Sequence, residues 1–368
     1  MTRRQLLQLT PAALSAARQA GRISGYEIRQ ARVPFHERVR EAWLSSWKNQ
    51  KRDQSDYVLT FVTLKTDTGL TGLAESKLPR ERTEALLKSM QGRPVEDFLH
   101  DDNIRGLLIA VYDIAAQAAG VPLAKLLSPN ARDYVTPVWW SQCFAPSVMA
   151  SEARLGASLG YRIHKVKARP WEDPIAQAAA ICAAVPANYR VWVDANSTWQ
   201  TVEKTLTVTR ELAKFKNYFA IESPIPRENR DGYRALKGKL PLKISEHVDA
   251  FANSGELADW VREGLLEAWI AGAPKLGRYT RDLAAQAAAA KVPIWIEHSI
   301  DNGIADVFQA HQSAAYPSIE YVISVTNVLA DDLMREPFTV RDGRYYLPKK
   351  PGLGVSLDYD AIERYRLA

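Results

Sequence analysis

From about residue 134 the chain alternates between two textures. Short runs rich in β-branched and aromatic residues occur at Val135–Trp140, Arg162–Lys167, Arg190–Asp194, Tyr218–Glu222, Leu242–Glu246, Leu266–Gly272, Pro293–His298 and Ile319–Ser324. Between them lie Ala- and Leu-rich stretches such as Asp173–Val185, Val202–Phe215, Ala252–Arg262 and Thr280–Ala290, whose apolar positions fall at helical spacing. The runs start roughly 25 residues apart. Strands that are apolar at nearly every position are buried on both faces, as parallel strands under a layer of helices are. Eight strand–helix units of this kind predict a closed parallel (β/α)8 barrel rather than an open sheet.

The flanks break the pattern. Tyr57–Lys65 alternates as an antiparallel strand does, Asp67-Thr68-Gly69 reads as a hairpin turn, and Thr71–Glu75 as the returning strand. Ile104–Ala119 is a helical run stopped by Gly120 and Pro122. Past Asp332, Asp342-Gly343 turns a second hairpin. Pro351-Gly352-Leu353-Gly354 makes a rigid loop without the Lys-Ser/Thr of a phosphate loop. The expected fold is α/β: a TIM-like barrel over residues 133–332, with an α+β capping domain formed from residues 22–132 and completed by residues 333–368.

Composition narrows the classes without changing this picture. Hydrophobic residues make up 46% and charged residues 24% of the 368-residue chain, the balance of a globular protein. No apolar run approaches the ~18–20 residues of a membrane span, and Cys143 and Cys182 are too few and too separated for a structural zinc cluster. Residues 1–52 hold 11 of the 48 basic and 3 of the 42 acidic side chains, so that end carries an excess of 8 positive charges, the remainder sums to −2, and the net charge is +6. That distribution excludes a protein built around a nucleic-acid surface and leaves a basic segment suited to an anionic small molecule. Thr2-Arg3-Arg4-Gln5-Leu6-Leu7 has the form of a twin-arginine export signal, although Gln8, Thr10 and Pro11 interrupt its apolar part. The alternative for residues 1–21 is an amphipathic helix, so periplasmic and cytoplasmic locations both stay open. A homo-oligomer is the expected assembly.

The chemistry of such a barrel is built at the C-terminal ends of its strands. Three consecutive runs finish in a carboxylate, at Asp194, Glu222 and Glu246. Neighbouring strands lie ~4.8 Å apart, so these oxygens can converge on one hard cation, and three carboxylates with waters suit Mg²⁺. In the second run, Lys165 and Lys167 fall on one face by the period of two. Adjacent cations and partial burial lower a lysine's pKa and free an amine to act as a base, which points to Lys167, with Lys165 holding charge beside it. The seventh run ends in His298, a group able to titrate near neutrality.

These residues resemble the enolase superfamily, in its mandelate racemase and muconate-lactonising branch. The resemblance runs from about Ile23 to Tyr365. It is carried by Lys165-Val166-Lys167, Asp194-x-Asn196, Ile221-Glu222-x-Pro224, Ser245-Glu246, the Thr66–Ala74 and Val111–Leu127 segments, and Pro351-Gly352-Leu353-Gly354. His298 and His311 look like the strand-seven histidine and following helix of that branch's acid-sugar dehydratases. The resemblance implies Mg²⁺-assisted removal of the proton α to a carboxylate, with the ene-diolate stabilised by the cation. It also exposes a departure: Gly272 stands where these enzymes carry a catalytic Asp or Lys. Lys275 can take the lysine's role if the sixth strand ends later.

The expected substrate is a small carboxylate. His36, Arg38, Arg40, Trp43, Trp47, Lys48, Lys51 and Arg52 mix aromatic surfaces with basic donors, which suits a sugar acid. Trp139, Trp140 and Trp199 either narrow the pocket or pack the core. Three readings follow. The leading one is a sugar-acid dehydratase or racemase using Lys167 and His298. The others are a muconate-type cycloisomerase or amino-acid racemase using Lys167 and Lys275, and a sugar-acid binding protein that retains only the metal site.

Overall fold

The structure is a computed structural model that describes residues 11–45, 56–251, 254–272, 277–297, 300 and 303–367. The Arg3-Arg4 pair, most of the basic segment around Trp47, Lys275 and His298 lie outside them.

The described chain opens with a helix, Pro11–Gln19, whose Ala16 and Ala17, with Ala20 just beyond, are buried. Three antiparallel strands follow: β1 (Ile23–Pro34), β2 (Asp56–Thr66) and β3 (Thr71–Ser76). Gly69 closes the β2–β3 hairpin at φ 83°, a conformation that favours glycine. The sheet packs on a helix that begins at Leu108 rather than at the expected Ile104, because residues Asp102–Leu107 form a tighter turn. Within that turn the Glu75 carbonyl occupies the place of a Cβ at Gly106, so only glycine fits there. Leu108–Ala118 is apolar at nine of its eleven positions, all but Asp113 and Gln117, and is buried through its first nine residues.

Eight parallel strands make the barrel: β4 (Tyr134–Ser141), β5 (Ile163–Lys167), β6 (Arg190–Asp194), β7 (Tyr218–Glu222), β8 (Lys243–His247), β9 (Ala268–Ala271), β10 (Ile294–Glu297) and β11 (Ile319–Ile323). Each pairs with the next, and β11 closes on β4 through Tyr321↔Thr136. Aromatic rings fill the interior: Trp192 lies 4.6 Å from Trp295, and Trp295 lies 5.5 Å from Tyr321. The barrel is therefore a packed core with a site above it, not a pore. A two-residue strand, β12 (Tyr345–Tyr346), runs antiparallel to β4 after the turn at Asp342 and Gly343, both at positive φ.

Two buried side chains tie the segments together. The Asp113 carboxylate accepts from Leu73 N at 3.0 Å and from Leu353 N at 2.8 Å, joining β3, the Leu108–Ala118 helix and the C-terminal loop. His311, on the helix Gly303–Ala315, accepts from Ala124 N at 3.1 Å through Nδ1 and stands 3.1 Å from Leu353 O through Nε2. Among the described residues no helix is long and apolar enough to cross a membrane.

Candidate active site

Strand register decides which side chains meet. Lys167 pairs with Asp194, Asp194 with Glu222, and Glu222 with Ser245, so these four residues form one row at the C-terminal ends of β5 to β8. Lys165 sits two residues below Lys167 on the same face and is fully buried. Its ammonium donates to Glu222 Oε1 at 2.8 Å and to Glu297 Oε2 at 2.5 Å, and Asp194 Oδ2 is 3.5 Å away. Lys167, 12% exposed, pairs with Asp194 Oδ2. Trp192 beneath donates from Nε1 to Glu222 Oε2 at 3.1 Å.

The electrostatics follow from this packing. Burial works to lower the pKa of Lys165, but Glu222, Glu297 and Asp194 outweigh it and hold the ammonium above the ordinary lysine value. Three carboxylates thus face Lys165 and keep it protonated beside Lys167. Burial likewise pushes Asp194 and Glu297 upward, yet Lys167 and Lys165 hold Asp194 below the usual carboxylate range, and Lys165 and His247 do so for Glu297. Arg169, two residues beyond Lys167 on the same strand line, lies partly buried where its charge acts on Asp194.

The structure brings together Lys165, Lys167, Asp194 and Glu222. It does not bring in Glu246. Because Glu222 is level with Ser245, Glu246 points to the opposite face of β8. There its carboxylate accepts from Ser223 Oγ at 2.6 Å, Tyr233 OH at 2.5 Å and the His247 amide at 2.8 Å. Glu222, His247 and Glu297 instead each offer a ligand atom within 4.8 Å of the others. Two carboxylates and an imidazole at that spacing fit a divalent cation. Asn196 is exposed, and its backbone amide, not its side chain, reaches Asp194 Oδ1 at 2.8 Å.

Trp139 and His36 lie elsewhere. Trp139 pairs with His164 on the outer face of the strands, against Tyr161 and beneath the Arg38 guanidinium, whereas Trp140 is level with Lys165. With the exposed His36, Trp139 lines a separate cavity of about 470 Å³ bordered by Asp306 and Asp332. Four residues at the mouth were not singled out from the sequence: Arg169, Glu297, His247 and Asp249. Glu297 ends its strand one residue before the chosen His298, and His247 is the period-two partner of Ser245, so strand alternation was the available signal.

Residues 148–361 match the enolase C-terminal domain-like family. The chain is 26% identical over 264 residues to a muconate cycloisomerase of Acinetobacter lwoffii, covering 70% of this chain and 68% of that one. It is also 26% identical over 276 residues to an arabinonate dehydratase of Saccharolobus solfataricus, covering 72% of each. Among solved structures, the muconate lactonizing enzyme of Pseudomonas fluorescens in complex with muconolactone superposes with a TM-score of 0.76 at 21% identity, covering 95% of this chain and 100% of that one.

Proposed function

The chain belongs to the enolase C-terminal domain-like family, as a lyase or isomerase, and on that footing we propose that it removes the proton α to the carboxylate of a sugar acid, leading to dehydration or epimerisation. The observation that carries this reading is the meeting of Lys165 and Lys167 with Asp194, Glu222 and Glu297 at the C-terminal ends of the strands.

Lys167 is the one of the two lysines with exposure to the mouth, so it receives the α-proton at Nζ, and Asp194 beside it steadies the resulting ammonium. Lys165, enclosed by three carboxylates, keeps a fixed positive charge below the reacting carbon. Arg169 extends the same face and suits the hydroxyls or carboxylate of a polar substrate. Trp192 closes the floor against water. Enzymes of this superfamily use Mg²⁺. Glu222 and Glu297 are placed to hold a divalent cation, which when bound supplies the charge that makes such a proton acidic enough for an amine. His298, which lies outside the described residues, is the proposed second proton donor.

The test is deuterium exchange from D₂O into the α-position of a panel of sugar acids with added divalent cation. The parent should exchange at least one of them, and Lys167→Ala should exchange it ~10²-fold or more slowly with an unchanged circular dichroism spectrum. Exchange by the variant at the parent rate, or no exchange by the parent with any acid, overturns the proposal.

A further inference from the structure

β9 ends at Ala271, and Gly272 follows with no side chain to offer the site. The space is nevertheless filled. Asp249, from the turn after β8, lies over it: a Cβ built on Gly272 would stand 3.0 Å from Asp249 Oδ2, and the Gly272 amide donates to Asp249 Oδ1 at 3.3 Å. The same Oδ1 faces His247 Nδ1 at 3.3 Å. His247 is the last residue of β8, and its Nε2 stands 3.2 Å from Glu222 Oε1 and 3.2 Å from Glu297 Oε1. Glu297 divides its two oxygens, Oε2 to Lys165 and Oε1 toward His247.

That spacing has a meaning for coordination. Adjacent ligands of an octahedral ion with bonds of ~2.1 Å are ~3.0 Å apart, close to the separations of the imidazole nitrogen from each carboxylate oxygen. An imidazole whose Nδ1–H is held by a carboxylate presents its other nitrogen in a fixed direction, as metal-bound histidines do. The Gly272 vacancy is what lets Asp249 take up this post. Resting on the function proposed above, the geometry points to His247 Nε2 as a ligand of the divalent cation, oriented by Asp249, and to a centre that prefers Mn²⁺ or Co²⁺ over Mg²⁺. Imidazole favours the later divalent ions, whereas Mg²⁺ keeps to oxygen donors and water. Glu246 is turned away and takes no part. Asp249 is a positioning residue that acts through His247.

The probe is Mn²⁺ added to the full-length protein and read by pulsed electron paramagnetic resonance. Bound Mn²⁺ should show a ¹⁴N coupling that converts to a ¹⁵N pattern when the protein carries ¹⁵N-histidine, a comparison that needs no mutation. His247→Gln should lose the coupling and reduce the preference for Co²⁺ over Mg²⁺ about tenfold. Asp249→Ala should keep Mn²⁺ binding but weaken it ~10–100-fold, the usual effect of removing a histidine's carboxylate partner. Bound Mn²⁺ without a histidine coupling, or no bound Mn²⁺, overturns the inference. If α-proton exchange persists with Mg²⁺ in that case, the proposed function stands without it; if exchange is absent too, both fall.

Discussion

Acidification should loosen the joint at His311. The ring is fully buried, and burial pushes its pKa down from 6.5 to about 4, against a smaller upward pull from the Leu353 carbonyl. The neutral tautomer fits both neighbours, since Nε2–H donates to Leu353 O and Nδ1 accepts the Ala124 amide. A proton on Nδ1 would set two donors against each other. Because the folded value lies below the unfolded one, this contribution is complete above pH 6.5 and is lost as pH falls toward about 4. At ~1.36 kcal/mol per unit, the loss is ~2 kcal/mol between pH 7 and pH 5 and ~3 kcal/mol by pH 4. Urea unfolding of the parent and of His311→Gln at pH 7 and pH 5 isolates the effect, since other titrating groups act equally in both. The stability gap between the two proteins should narrow by ~2 kcal/mol at pH 5. A gap that does not change with pH refutes the argument.

Two further outcomes follow from the mouth. Lys165→Met leaves Asp194, Glu222 and Glu297 facing one another without an ammonium, which should lower the unfolding free energy by ~3–5 kcal/mol, partly restored by millimolar Mn²⁺; a urea midpoint equal to the parent's would contradict it. Glu246→Gln weakens the acceptor for Ser223, Tyr233 and the His247 amide, so it should lower stability by ~1–3 kcal/mol while Mn²⁺ affinity in a calorimetric titration stays near the parent's. A collapse of that affinity would return Glu246 to the ion.

The strands of the barrel were legible because periodicity is a local signal: each of the eight runs coincides with a strand to within two residues at either end. The cap's β2–β3 hairpin was legible for the same reason. Parity between strands was not. Asp194, Glu222 and Glu246 look equivalent when each is counted from the end of its own run, but hydrogen-bond register sets Glu222 level with Ser245, and one residue turns a carboxylate from the mouth to the helices. Trp139 and Trp140 posed the same ambiguity, settled by the pairing of Trp140 with Lys165. The occupation of the Gly272 space by Asp249 was out of reach too, since it depends on how a turn after one strand lies against the end of the next.

The carboxylate of Asp113 binds an amide 240 residues further along the chain, and Arg29 on β1 meets Glu363 across 334 residues. The sheet β1–β3 is therefore synthesised well before the segments that complete its packing. At ~5–20 residues per second, Asp113 leaves the ribosome on the order of ten to fifty seconds before Leu353 follows. For that interval a mostly apolar helix carries the Asp113 carboxylate with its C-terminal partner still unmade, while the barrel also awaits the pairing of β11 with β4. Such long-range closure makes for slow folding, and for a nascent chain that exposes apolar surface until the segment around Leu353 arrives.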